Sequence, residues 1–112
     1  MTMPEQEMNR VQRRLWRAFM ETGVDTSKAG AVERLHRLVQ NEVATMSPAL
    51  RHVMRVVLFQ PGEVDYRQLA REIERHEGMH LSMASLRKRV WHAASRIERA
   101  IRHGIEPACF LP

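Results

Sequence analysis

Between Ser82 and His103 the chain concentrates side chains suited to one kind of chemistry, the recognition of a polyanion. Arg87, Lys88, Arg89, His92, Arg96 and Arg99 supply cationic donors, and Ser82 and Ser85 supply hydroxyls. Arginine and lysine donate to guanine edges and to phosphate oxygens, and serine bonds several base edges. Ser85 with Arg87 or Lys88, beside Met83 and Ala84, stands where base edges would be read; Arg89, His92 and Arg96 suit phosphates. Arg67, upstream on a separate segment, completes the candidate DNA-binding set.

Other chemistries find less support. His76 and His80 are four residues apart, a spacing that can bind zinc on a helix, but no cysteine lies near them and only Glu77 stands beside them. Exposed or capping histidines are the expectation. The one cysteine, Cys109, has no basic sequence neighbour to activate it and permits no disulfide within the chain, so it reads as an inert thiol. No nucleophile elbow, phosphate-binding glycine loop or paired-carboxylate pattern occurs, and the chain reads as a non-enzyme with no metal and no cofactor.

The charge distribution sharpens the first reading. The formal net charge of the 112 residues is +5. Residues 1–46 carry seven Lys/Arg against six Asp/Glu, residues 47–81 five against five, and residues 82–112 six against two. The excess therefore lies in the last quarter, and a localised positive field attracts polyanions. Charge alone leaves a solvated helix face equally open. Met1 to Met20 is charged throughout, unlike a signal peptide, and no stretch approaches the roughly 18 apolar residues of a membrane span, so a reducing, cytoplasmic compartment is expected.

These side chains need elements to hold them. Aromatic residues make up only 5% of the chain, so the core must come from Leu, Val, Ile, Ala and Met, a mix that favours packed helices. Five helices are expected. The first runs from about Pro4 to Thr22, with Met8, Val11, Leu15 and Phe19 as its apolar stripe and Arg10, Arg13, Arg14 and Arg17 on the rest. The second runs from Ser27 or Lys28 to Thr45 on Val32, Leu35, Leu38 or Val39, Val43 and Met46, with Glu42 exposed. The third spans Pro48 to Phe59, with Ser47 supplying an N-cap oxygen and Leu50, Val53, Met54 and Val57 facing inward. The fourth starts at Asp65, whose spacing to Gln68 is that of a capping box with Val64 as its staple, carries Leu69, Ala70 and Ile73 inward, and ends at Gly78. The fifth is capped by Ser82 and carries Leu86, Val90, Ala93 or Ala94, Ile97 and Ile101 inward until Gly104 and Pro107 stop it. The apolar tail from Ile105 to Pro112 can fold back on the core.

A short helix, a turn and a capped basic helix form the arrangement of a helix-turn-helix, in which the second helix enters the major groove by its N-terminal end. The stretch from Ser47 to Ile101 resembles the fourth conserved region of bacterial sigma factors. Pro48-Ala49-Leu50-Arg51-His52-Val53-Met54 is similar to its first helix, and Tyr66-Arg67-Gln68-Leu69-Ala70-Arg71-Glu72-Ile73 to its bracing helix. Ser82-Met83-Ala84-Ser85-Leu86-Arg87-Lys88-Arg89-Val90-Trp91-His92-Ala93 is similar to its recognition helix. LuxR-type regulators share much of this pattern. The resemblance implies reading of the −35 promoter element and a possible contact with RNA polymerase. The connection from Ala70 to Ser82 is longer than the family pattern, and residues 1–46 show no −10-reading part, so the chain resembles a stand-alone regulator built on that module.

The resulting expectation is an all-α fold of about five helices with a C-terminal helix-turn-helix. Residues 1–46 form a helical pair for dimerisation or partner contact, and residues 47–112 form the DNA-binding domain. The function expected is sequence-specific binding of double-stranded DNA in transcriptional regulation. The alternative is a regulator that docks on RNA polymerase or a sigma factor. Surplus apolar surface from Met8, Leu15, Phe19 and Met20 points to a homodimer. Trp16 and Trp91 are read as structural, with Trp91 sealing the fifth helix to the core.

Overall fold

Twenty-two residues from Met83 to Gly104 form the longest helix of the chain, and the rest of the fold is arranged around it. A computed structural model describes residues 7–104 and contains α1 (Arg10–Glu21), α2 (Ala31–Ala44), α3 (Pro48–Phe59), α4 (Tyr66–Glu77) and α5 (Met83–Gly104), with no strand among the described residues. On α5, Leu86, Val90, Ala93, Ala94, Ile97 and Ile101 recur at helical spacing and are all buried. α1 packs along one flank of α5 and runs parallel to it, since Arg14 meets Glu98 while Glu21 meets Arg102. α2 packs on the other flank and runs antiparallel: Glu42 meets Arg96, while Leu38 lies against Gly104. α3 and α4 close the core, α4 packing on both α3 and α5. No helix among the described residues is long and apolar enough to cross a membrane.

α1 and α2 share one core with the other three helices. Each makes its main packing contact with α5, and their buried side chains belong to the same core cluster as those of α3 and α4. Leu15 and Phe19, counted above as surplus apolar surface, are buried in the chain's own core; Met8 is half-buried, and Met20 is the member of that group left exposed. Most of the apolar argument for a homodimer is thereby removed.

The start of α1 differs from the sequence expectation, and the cause is a pair of buried amides. The helix begins at Arg10, because Asn9 is its N-cap: the Asn9 Oδ1 accepts from the Gln12 backbone amide at 2.9 Å, and the Asn9 amide donates to Gln12 Oε1 at 3.0 Å. The same two side chains then reach the end of α3. Asn9 Nδ2 donates to the Val57 carbonyl at 2.7 Å, and Gln12 Nε2 lies 2.9–3.1 Å from the carbonyls of Val57, Leu58 and Gln60. The last carbonyls of a helix have no partner within it, and a buried one left unbonded costs about 1–3 kcal/mol. Asn9 and Gln12 thus cap two helix ends at once and fix α1 to α3. Pro4, Pro107, Cys109 and the tail from Ile105 to Pro112 lie outside the described residues.

Other boundaries moved for local reasons. α2 begins at Ala31, later than expected, because Asp25 Oδ1 takes both the amide and the hydroxyl of Ser27 into a turn and Gly30 follows at φ +90°. Ser47 precedes α3, but its side chain makes no capping bond; its carbonyl accepts from the Arg51 amide, and Pro48 at the first helical position does the rest. Asp65 does cap α4 through the Gln68 amide at 3.1 Å, whereas the Gln68 side chain turns to Glu72 and leaves the capping box half made. Gly78 ends α4 in the left-handed conformation, at φ +67°, as a glycine stop requires. Glu42, expected to be exposed, is half-buried and paired with Arg96.

Candidate nucleic-acid interface

The segment from Gly78 to Ser82 leaves α4 as an irregular connection and delivers the chain to α5 with a cap in place. Ser82 Oγ accepts from the Ser85 amide at 3.1 Å, and the Ser82 carbonyl accepts from the Leu86 amide at 2.9 Å. Such a serine cap is typically worth ~1 kcal/mol. It also fixes the first turn, where free amides and the helix dipole favour an approaching anion. His80 falls in this connection, away from any helix, and sits 3.5 Å from Glu74, while His76 is on α4; the two do not share a helix face. Among the described residues no group of three or more potential ligands could hold a metal ion.

With one face of α5 buried, helical geometry decides what the other presents. Ser85, Lys88 or Arg89, His92, Arg96 and Arg99 recur at steps of three and four residues, and all are exposed. From Met83 to Ile97 the helix contains no Asp or Glu. Lys88, Arg89, His92 and Arg99 have no acidic partner among the described residues. The charges of Lys88, Arg89 and Arg99 are therefore not cancelled within the described residues.

The remaining candidates are placed differently. Arg87 lies to the side of the stripe, its guanidinium 5.4 Å from the centroid of the Tyr66 ring at the start of α4. The Tyr66 hydroxyl is pushed above its ordinary pKa by burial, with Arg87 opposing in part. Met83 is half-buried. Arg67 is exposed on α4, next to Tyr66, also without an acidic partner among the described residues. Arg96 is engaged with α2: it lies 3.3 Å from Glu42 and is hydrogen-bonded to Thr45 Oγ1.

Beyond Ala94, α5 is bound to its neighbours by charge. Arg14 of α1 lies 2.7 Å from Glu98 and donates to Ser95 Oγ at 2.9 Å. Arg102 bridges Glu98 at 3.1 Å and Glu21 of α1 at 2.8 Å. Burial acts to raise the pKa of Glu98, but the hydrogen bonds from Arg102 and Arg14 outweigh it and hold the carboxyl below its ordinary value. One nitrogen of Arg14, Nη1, is buried without a hydrogen-bond partner among the described residues; the guanidinium carbon lies 4.2 Å from the centroid of the Trp91 ring, whose π face it covers.

Trp91 departs from its expected role. It does not seal α5 into the core but stays 38% exposed, with the guanidinium groups of both Arg14 and Arg10 over its ring. The Asn9–Gln12 spacing is itself that of a capping box and marks the start of α1, whereas the bonds of these two side chains to α3 and the Arg10–Trp91 contact depend on how α1 lies against α3 and α5. Comparisons of the chain with models of protein families, with curated proteins and with solved structures find no match.

Proposed function

We propose that this protein binds double-stranded DNA through the N-terminal half of α5 and acts as a small, non-enzymatic transcriptional regulator in the cytoplasm. The observation that carries the reading is the exposed stripe of Ser85, Lys88, Arg89 and His92 on a capped helix, without an acid between Met83 and Ile97. Packing gives no reason for those cations, since the buried side of the helix is complete without them. Ser85, Lys88 and His92 on the outermost face would meet the major groove, and Arg89 and Arg67 its flanking phosphates, in the manner of a helix-turn-helix formed by α4 and α5. The resemblance of Ser47–Ile101 to the fourth conserved region of sigma factors supports the same reading. The geometry shifts the emphasis within it: Lys88 takes precedence over Arg87, which lies against Tyr66, and Arg96 contributes less because α2 already holds it.

Duplexes enriched from a random pool by the wild-type protein test the proposal. K88A/R89A should keep the wild-type melting temperature and lose the enriched sequence's preference over bulk DNA. A lost good base contact costs on the order of 1–3 kcal/mol, which makes the loss roughly fivefold to 150-fold. Undiminished affinity and preference in a folded double variant would contradict it.

A further inference from the structure

We propose that Arg10, held over the ring of Trp91, is a phosphate-binding residue that extends the DNA-binding surface from α5 onto α1. The inference rests on the DNA-binding reading and adds a contact outside the α4–α5 unit. Arg10 is the first residue of α1, is exposed, and has no acidic partner among the described residues. Its guanidinium carbon lies 5.2 Å from the centroid of the Trp91 ring. Trp91 stands one helical turn after Arg87 and Lys88 on α5, so the contact brings a cation of α1 alongside the acid-free part of that helix.

The two arginines that share the Trp91 ring are not equivalent. Arg14 is half-buried and neutralised by Glu98, so it serves to join α1 to α5. Arg10 also lies over that ring, with no carboxylate paired to it among the described residues. A guanidinium resting on an indole face keeps its N–H donors free at its edge, and a phosphate presents acceptors that match that fork. Asn9 fixes the backbone immediately before Arg10 by capping α1 and by bonding to α3, so the site is held by packed elements. Trp91 is here a positioning residue and Arg10 the contact.

Salt titration of the affinity for a short duplex tests this, using wild type, R10Q, W91L, W91F and R37Q. The logarithm of the binding constant falls with the logarithm of salt in proportion to the phosphates neutralised. R10Q should make that slope shallower by about one and weaken low-salt binding several-fold. W91L should reproduce the R10Q slope, and W91F, which keeps an aromatic face, should restore it. R37Q removes the same charge from α2, next to the Leu38 that meets Gly104 at the far end of α5, and should leave the slope unchanged. Circular dichroism and melting temperature identify the folded variants, and R10K, which keeps the charge, should retain the slope. A folded R10Q with the wild-type slope, or an R37Q slope as shallow as that of R10Q, overturns the role of Arg10 while leaving DNA binding in place. A wild-type protein that binds no duplex at low salt overturns the DNA-binding reading and this inference with it.

Discussion

From Ser85 to His92, the outward cations of α5 meet no acid among the described residues; from Ser95 to Arg102, Arg96, Glu98 and Arg102 are all tied to α1 or α2. Arg99 is the exception in the second half, exposed and without an acidic partner among the described residues. The two halves share an apolar stripe and a similar composition. What separates them is the company that other helices bring. α1 and α2 present Arg14, Glu21 and Glu42 to the second half as ion-pair partners, whereas the first half meets Tyr66 of α4 and, at Trp91, the guanidinium groups of Arg10 and Arg14, with no acid from either helix among the described residues. A basic helix is thus divided into a segment that fastens the fold and a segment whose charge faces outward.

Substitutions should separate the two. The largest effect belongs to the buried stripe: I97A, at a fully buried side chain, should destabilise the protein by about 2–5 kcal/mol in urea unfolding. Its DNA affinity, corrected for the fraction folded, should stay at the wild-type value. R14Q comes next. It leaves Glu98 without its closest partner and removes the guanidinium from Trp91, and should cost about 1–3 kcal/mol with little change in DNA affinity. K88A/R89A should show the reverse, with stability within about 0.5 kcal/mol of wild type and DNA preference lost. A stability loss in K88A/R89A that equals that of R14Q would erase the distinction between the halves.

The smallest effect is a pH dependence. The folded-state pKa of Glu98 lies below its ordinary value of 4.5, so its carboxylate favours the folded state above that value. The contribution is lost as pH falls from about 4.5 through the lower folded-state value. The His52 hydrogen bond depresses Glu72 in the same direction, 3.0 Å away across α3 and α4. Stability followed down to strongly acidic pH should therefore fall less steeply in R14Q than in wild type, because one of the groups that lowers Glu98 is gone.

Much of this fold was legible in the sequence because helical periodicity is a local property. The buried stripe of α5, the Ser82 cap and the Gly78 stop each follow from residues within a turn or two of one another, and each is present. Asn9 and Gln12 carry the local spacing of a capping box, but their bonds to α3 were not legible. Polar residues next to an apolar stripe normally face water, and only the approach of the α3 carbonyls makes them buried caps. The ties of Arg96 to α2 and of Trp91 to α1 were hidden for the same reason: their partners are 45 or more residues away in the chain. The stripe from Ser85 to His92 was legible as a basic face. That its cations lack acidic partners could be seen only with the other helices in place.

The most direct test is backbone amide chemical-shift mapping of the labelled protein as duplex DNA is added at low salt. The largest changes are expected from Ser82 to His92 and at Arg10, with small ones from Ile97 to Gly104. Changes concentrated in the second half of α5 or spread evenly over the helices, or no change at saturating DNA, would contradict that expectation.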